Sequence, residues 1–471
     1  MDGFHAEALR RLPLAESGLR VWAWLTEESF LAGLFQRYRG RSYEKVLSFP
    51  ILVYLIALVL LHHRGSGRAG FAKAREDGGL PASVEAAFGK LRRLPIALSM
   101  GFVADCTVRL LELFPDHQRA IVLPASVAET EVVLLDGKAI KRVAKRLKPL
   151  RGAHGGVLGG RALVAYWANR GVVVAMHAHA DGQVNDVRFV PDLLPRVRGT
   201  VGGPRLFVGD RQFCNLEHLP GYLAQGDHFL IRYHANVQFT PDPSRPEQHG
   251  LDHEGRTYRE EWGWLGGVQN RGRRLVRRIT LQRPDAEAVA VVTDLGAETD
   301  AAARYPAVDV LTVYLARWDI ERVFQQVTEV FGLHGLIGSS PEATVFQFGF
   351  CLVLYNILQL LRAYVAEGAE QPVAQVSTEK LFADVNRQMT AWYELTPPGQ
   401  TAQLIGPLTR EETRSRLAAL LGRAWTERWR KAPKQKRRPP DHTGHRSHNS
   451  AYRLIEQARA NRSAPQQKER K

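Results

Sequence analysis

The chain has 471 residues, 45% hydrophobic and 24% charged, a mixture that excludes fibrous and disordered classes and fits several packed domains. Its 64 Lys and Arg against 48 Asp and Glu leave a net charge of +16, so a polyanion is the expected partner, nucleic acid ahead of a membrane surface. Cys106, Cys214 and Cys351 are too few and too scattered for a disulfide framework or a zinc cluster, and fit a reducing, cytoplasmic compartment.

Residues 1–128 read as helical, with apolar residues three and four apart, as in Leu19, Trp22 and Leu25 or Val103, Cys106, Leu110 and Leu113. Asp2, Glu7 and Glu16 interrupt any leader-like apolar stretch, so no secretion signal is expected. The apolar run Phe49–Leu61 falls short of the ~20 residues that span a bilayer and predicts a buried helix. Between Leu91 and Phe114 the pattern allows either a helix-turn-helix or plain bundle packing.

The texture changes at Glu131. Val132–Asp136, Ala162–Trp167 and Val172–His177 predict strands, the last two a hairpin across Asn169–Gly171. Asn185 can cap a helix carrying Val187, Val190, Leu193 and Leu194, with Pro191 near its first turn. Arg205–Asp210 predicts a fourth strand, Cys214–Gln225 a helix and His228–Tyr233 a fifth strand, together an α/β domain with a mixed sheet. Residues 240–305 read as a β-rich insertion that includes strands Arg274–Leu281 and Ala288–Thr293. Helix returns at Val308 and runs, with breaks at 332–335 and 338–341, to Tyr364; Gln347, Asn356 and Gln359 mark its last part as a core helix with satisfied polar groups. The division expected is 1–128, a helical DNA-binding domain; 129–239 and 306–365, the two parts of a catalytic core; 240–305, the insertion; and 366–471, a helical region with a basic tail. From Arg423 onward 15 Lys and Arg face four acids, most of the chain's positive charge, centred on Lys434, Lys436, Arg437 and Arg438; this block reads as a phosphate-binding arm.

Carboxylates in apolar surroundings need pairing, hydrogen bonds or a metal. Asp136 follows four apolar residues, and Asp210 ends Leu206–Gly209; each alone could be a strand-end or turn aspartate. Tyr314, Arg317 and Glu321, at offsets of three and seven, share one face of a predicted helix that also carries Leu315, Trp318, Ile320, Val323 and Phe324. Two Mg²⁺ ions between three carboxylates can activate a water or a 3′-hydroxyl and stabilise the leaving oxygen of a phosphodiester.

The motifs Leu135-Asp136-Gly137-Lys138, Gly209-Asp210-Arg211-Gln212-Phe213 and Tyr314-x-x-Arg317-x-x-x-Glu321 together resemble the DDE transposases of the insertion-sequence-four family, the branch that includes the transposon-five transposase. The resemblance spans Glu131 to Tyr364. It implies an RNase H-like core with Asp136, Asp210 and Glu321 as catalytic metal ligands for Mg²⁺, with Mn²⁺ as a substitute. It also implies cleavage at element ends followed by strand transfer into target DNA, a homodimer in the DNA complex, and a bacterial cytoplasmic location. Tyr314, Arg317, Arg211 and Arg322 would grip DNA, and Trp262 or Trp264 could stack a flipped base, although either of these could equally be core; Trp318 is expected in the core. The family's lysine seven residues after the glutamate is Thr328 here, a departure that Arg322 could compensate. An RNase H-like nuclease without joining activity, or a silent DNA-binding derivative, are the rival readings. His154, His177 and His179 have no metal-site spacing, Cys214 no activating histidine, and Asp181 and Asp186 are explained by a turn and a helix start.

Overall fold

The computed structural model describes residues 3–63, 66–116, 119–140, 145, 147–284, 286–298, 303–329, 337–396, 400–432 and 448–463. Ten strands form one sheet: β1 (Glu131–Ile140), β2 (Gly160–Trp167), β3 (Val172–His179), β4 (Arg205–Gly209), β5 (His228–Arg232), β6 (Phe239–Pro241), β7 (Gln248–Leu251), β8 (Thr257–Leu265), β9 (Arg274–Arg283) and β10 (Ala286–Thr293). Their spatial order is β3-β2-β1-β4-β5-β10-β9-β8-β6, with β7 also on β8. The first five strands, β1 parallel to β4, β4 parallel to β5, and β1–β2–β3 antiparallel, have the mixed order of an RNase H-like core, as expected. Val132, Val133, Leu134 and Leu135 are all at most 1% exposed, because the middle of a sheet covered on both faces requires an unbroken apolar run. The hairpin turn sits where predicted: Gly171 has φ +75°, and a Cβ there would lie 2.8 Å from Ala120 Cβ.

The insertion strands extend this sheet rather than forming one of their own. β10 pairs antiparallel with β5 through Val291↔Arg232, Val292↔Ile231 and Thr293↔Leu230. His228 Nδ1 lies 2.6 Å from Asp294 Oδ2, and Phe229 N donates to Asp294 Oδ1 at 2.8 Å, locking the join.

Helices α1 (Phe49–His62), α2 (Ile96–Leu111), α3 (Val190–Thr200), α4 (Ala307–Leu315), α5 (Trp318–Glu329) and α6 (Pro341–Gly368) surround the core end of the sheet. Helix α6, 28 residues long and apolar enough to cross a bilayer, is instead buried within the fold. Phe346 and Phe350 meet Phe49 of α1 and Phe102 of α2 with ring centroids 5.4–5.7 Å apart. Of its polar groups, Asn356 accepts from Val173 N at 2.9 Å and donates to Val173 O and Thr107 Oγ1, both at 2.8 Å. Gln347 and Gln359 are satisfied only in part: their side-chain oxygens accept, while both Nε2 atoms lack a partner among the described residues.

Two expectations need correction. The predicted helix 214–225 is only Leu219–Tyr222 between 3-10 turns, because Pro220 limits its start and Gln225 adopts φ +65°. Helix α2 follows Val84–Leu91 after a short link and buries Leu98, Phe102, Val103, Cys106 and Leu110, while Val108 is 46% exposed. Asp186 does not serve as a cap; Asn185 caps the turn through Val187 N, while Asp186 is fully buried against Arg161 at 2.7 Å. The predicted helix breaks at 332–335 lie outside the described residues.

Candidate active site

Asp136 and Asp210 come together through sheet register. Parallel pairing of β1 with β4 stops at Leu135↔Gly209, so the next residue on each strand is an aspartate, on neighbouring strands ~5 Å apart. Asp136 is not a strand end, since β1 continues to Ile140 and Asp136 stays paired with Val164 of β2. Asp210 leaves the sheet and accepts from Gln212 N at 2.9 Å, which closes the turn Arg211–Phe213 and aims the carboxyl back along the strand ends.

Glu321 arrives on α5. The predicted single helix from Tyr314 to Glu321 is interrupted: α4 ends at Leu315, Arg317 N bonds Tyr314 O at 3.0 Å and Asp319 N bonds Ala316 O at 2.9 Å before α5 begins. This tight turn buries Tyr314 and Arg317, at 4% and 7% exposure, while Trp318 swings out to 52%. Arg317 Nη2 donates to Glu321 Oε1 at 2.9 Å. Burial drives the Asp136 carboxyl up to about 7; Arg317 opposes this, and the charges of Asp210 and Glu321 add to it. Burial likewise pushes the Tyr314 phenol up, with Arg317 pulling the other way and Asp210 adding to the rise. The Arg317 guanidinium is held above its ordinary value despite burial, by Tyr314, Glu321 and Asp136. These mutual effects place all five groups in one electrostatic pocket.

The remaining predicted residues divide. Arg211 is exposed, and Arg322 pairs with Asp319 at 2.8 Å. Trp262 is core, 5% exposed and donating to Gly296 O, whereas Trp264 is 37% exposed with Arg273 4.4 Å above its ring. Lys434, Lys436, Arg437 and Arg438 lie outside the described residues. Thr328 donates its hydroxyl to Phe324 O at 2.7 Å, so its donor is spent inside α5. Two groups were missed by sequence reasoning. Lys138, on the same face of β1 as Asp136, reaches the Phe324 ring at 5.3 Å, one helical turn from Thr328; it had been quoted only as part of a motif. Asp186, buried with Arg161, abuts Gly137 so closely that a Cβ there would meet its Oδ2 at 1.4 Å. Gly137 beside Asp136 was the available signal.

Carboxylates brought to one pocket suit a hard divalent cation, which takes oxygen ligands. With Glu321 drawn toward Arg317, however, no three His, Cys, Asp or Glu side chains among the described residues form a ready-made metal cage.

Residues 128–357 match the family model of the transposase DDE domain. That DDE-domain segment starts just before β1 and ends within α6, so it takes in Asp136, Asp210 and Glu321 together with the whole insertion. The match supports a DDE transposase without singling out the insertion-sequence-four branch. The cryo-EM structure of a piggyBac transposase synaptic complex with hairpin DNA is similar at 11% identity over 86% of this chain and 85% of that one, with a TM-score of 0.41, a loose likeness. No curated protein matches.

Proposed function

We propose that the chain is a DDE transposase of the insertion-sequence-four type, cutting at the ends of its element and joining them to target DNA. The observation that carries this reading is the meeting of Asp136 and Asp210, one step past a paired Leu135↔Gly209, with Glu321 from α5. Asp136, Asp210 and Glu321 would hold the divalent ion, Mg²⁺ with Mn²⁺ as a substitute, which when bound supplies Lewis acidity at the scissile phosphate and an activated water or 3′-hydroxyl. Arg317 orients Glu321 in the free protein and is the cation placed to meet a phosphate once the carboxylates are otherwise engaged. Tyr314 lines the same pocket, and Lys138 supplies near Thr328 the charge that threonine lacks. Arg211, Arg322, Trp264 and the block Lys434, Lys436, Arg437 and Arg438 would contact DNA outside the reacting bond. The complex would be a homodimer on paired ends, acting in a bacterial cytoplasm.

The test is a nicking and joining assay on DNA that brackets the gene, with Mg²⁺. Wild type should nick and then join; Asp136→Ala and Glu321→Gln should do neither. Cleavage without joining would replace this reading with a nuclease, and identical profiles for wild type and Asp136→Ala would make the protein a non-enzymatic DNA binder.

A further inference from the structure

Between Asp136 and Asp181 the sequence contains no acid and nine Lys and Arg. Of these, Lys145, Lys148 and Arg151 lie among the described residues of the stretch that leaves β1 at Ile140 and returns at Gly159, where Gly159 N donates to Ile140 O at 2.7 Å and closes the neck. The C-terminal segment packs against this loop from nearly 300 residues away in the chain. Asn449–Ser450 pairs in parallel with Val157–Leu158, Gln183 Nε2 donates to His448 O at 2.8 Å, and Arg453 Nε to Asp181 Oδ2 at 2.7 Å. The helix Ala451–Ser463 then lies on Lys148–Leu150, with Leu454 and Ile455 turned to the core beside Leu147 and Leu150. The exposed charged groups of both pieces are mainly basic: Lys148 and Arg151 from the loop, Arg462 from the helix, and Arg459, which also pairs with Glu456 at 2.6 Å.

We infer that the loop after β1 and the terminal helix form one composite face that binds the phosphate backbone of duplex DNA and leads it to the carboxylates. The inference rests on the DNA reading above and deepens it. The neck lies four residues past Asp136 on the same strand, ~13 Å away, well inside one ~34 Å turn of duplex. A backbone seated on this face therefore runs directly to the reacting groups. Arg453 pairs with Asp181 and serves as the anchor that holds the helix in place. Among the described residues beyond Trp429, 448–463 are thus fastened to the core.

Binding of a labelled duplex oligonucleotide to the full chain, by anisotropy across a salt series, tests this. Lys148→Gln/Arg151→Gln and Arg459→Gln/Arg462→Gln should each lower the slope of log affinity against log salt by about two, and weaken binding at physiological salt by roughly tenfold or more. Arg10→Gln/Arg11→Gln, on an N-terminal helix that packs against neither piece, should change both far less. An effect from only one of the two pairs overturns the composite face, and equal weakening by the control pair reduces it to net charge. The variants should melt with wild type, since all four side chains are exposed. Asp136→Ala separates the two claims: it should bind as wild type while failing to nick. Nicking and joining by wild type together with unaltered binding by the fourfold variant would overturn this face alone, whereas no duplex binding by wild type would overturn both.

Discussion

At Asp136 a carboxyl sits largely out of solvent near Asp210 and Glu321, with the Arg317 guanidinium opposing their charge. Its proton is held to about 7 against an ordinary value of 3.8, chiefly by burial, so ionisation works against the fold. The sign follows directly: the neutral carboxyl carries no penalty below its ordinary value, the penalty grows as pH rises through the interval, and it is complete above about 7. Asp136→Asn should therefore be more stable than wild type in chelator at about pH 8, by about 1–3 kcal/mol, with the gap shrinking at about pH 5. Paired thermal melts at the two pH values measure it; an equal gap at both would sink the account. The tryptophans show what residue type alone cannot decide. Trp262 and Trp264 are two apart on one strand and so share a face; Trp262 is enclosed and donates to Gly296 O, whereas Trp264, one residue from the strand's end, is 37% exposed beneath Arg273. Trp318 was expected in the core and is on the surface because the chain turns at Ala316–Arg317.

Elements were legible where the pattern was local. The three strands of the first meander, the turn at Gly171, the cap at Asn185 and the apolar helix at Phe49 all fall where periodicity and turn chemistry placed them. The break between α4 and α5 was not legible, since spacings of three and four fit one helix or two joined by a tight turn. Nor was the bond between the first long helix and the far end of the chain. Glu16 of helix Pro13–Leu25, 1% exposed, accepts from Arg20 at 2.9 Å and from Arg416 of helix Arg410–Leu421 through two bonds of 2.8 Å. Burial would raise this carboxyl, but the bonds from Arg416 and Arg20 hold it below its ordinary value. Its stabilising effect is therefore present above the usual glutamate range and is lost toward acid. Glu16→Gln should cost about 2–3 kcal/mol in urea denaturation at neutral pH, less than a fully enclosed pair because Arg416 is partly exposed. An unchanged midpoint would show that the helices are held by packing alone.

Across the whole molecule one hydrophobic cluster runs from Leu14 to Ala451 and includes Val276, Ile279 and Val291 of the insertion. Helix α6 is its axis, touching α2, α5, β2 and β3. Calorimetry should accordingly give one dominant unfolding transition, with calorimetric and van't Hoff enthalpies in agreement. A separate early transition that disappears when residues 240–305 are deleted would show the insertion to be an independent unit.

By itself the amino-acid order determined the strands of the catalytic half and the buried helix at Phe49, and through its motif spacing it points to three acids, because these follow from short-range periodicity and residue order. Only the tertiary structure decided that β1 and β4 end their pairing one residue before both aspartates, that Lys138 reaches the Phe324 ring, and that the last helix returns to the loop after β1. Those are contacts between residues far apart in the chain, fixed by sheet register and side-chain packing, and no local pattern encodes them.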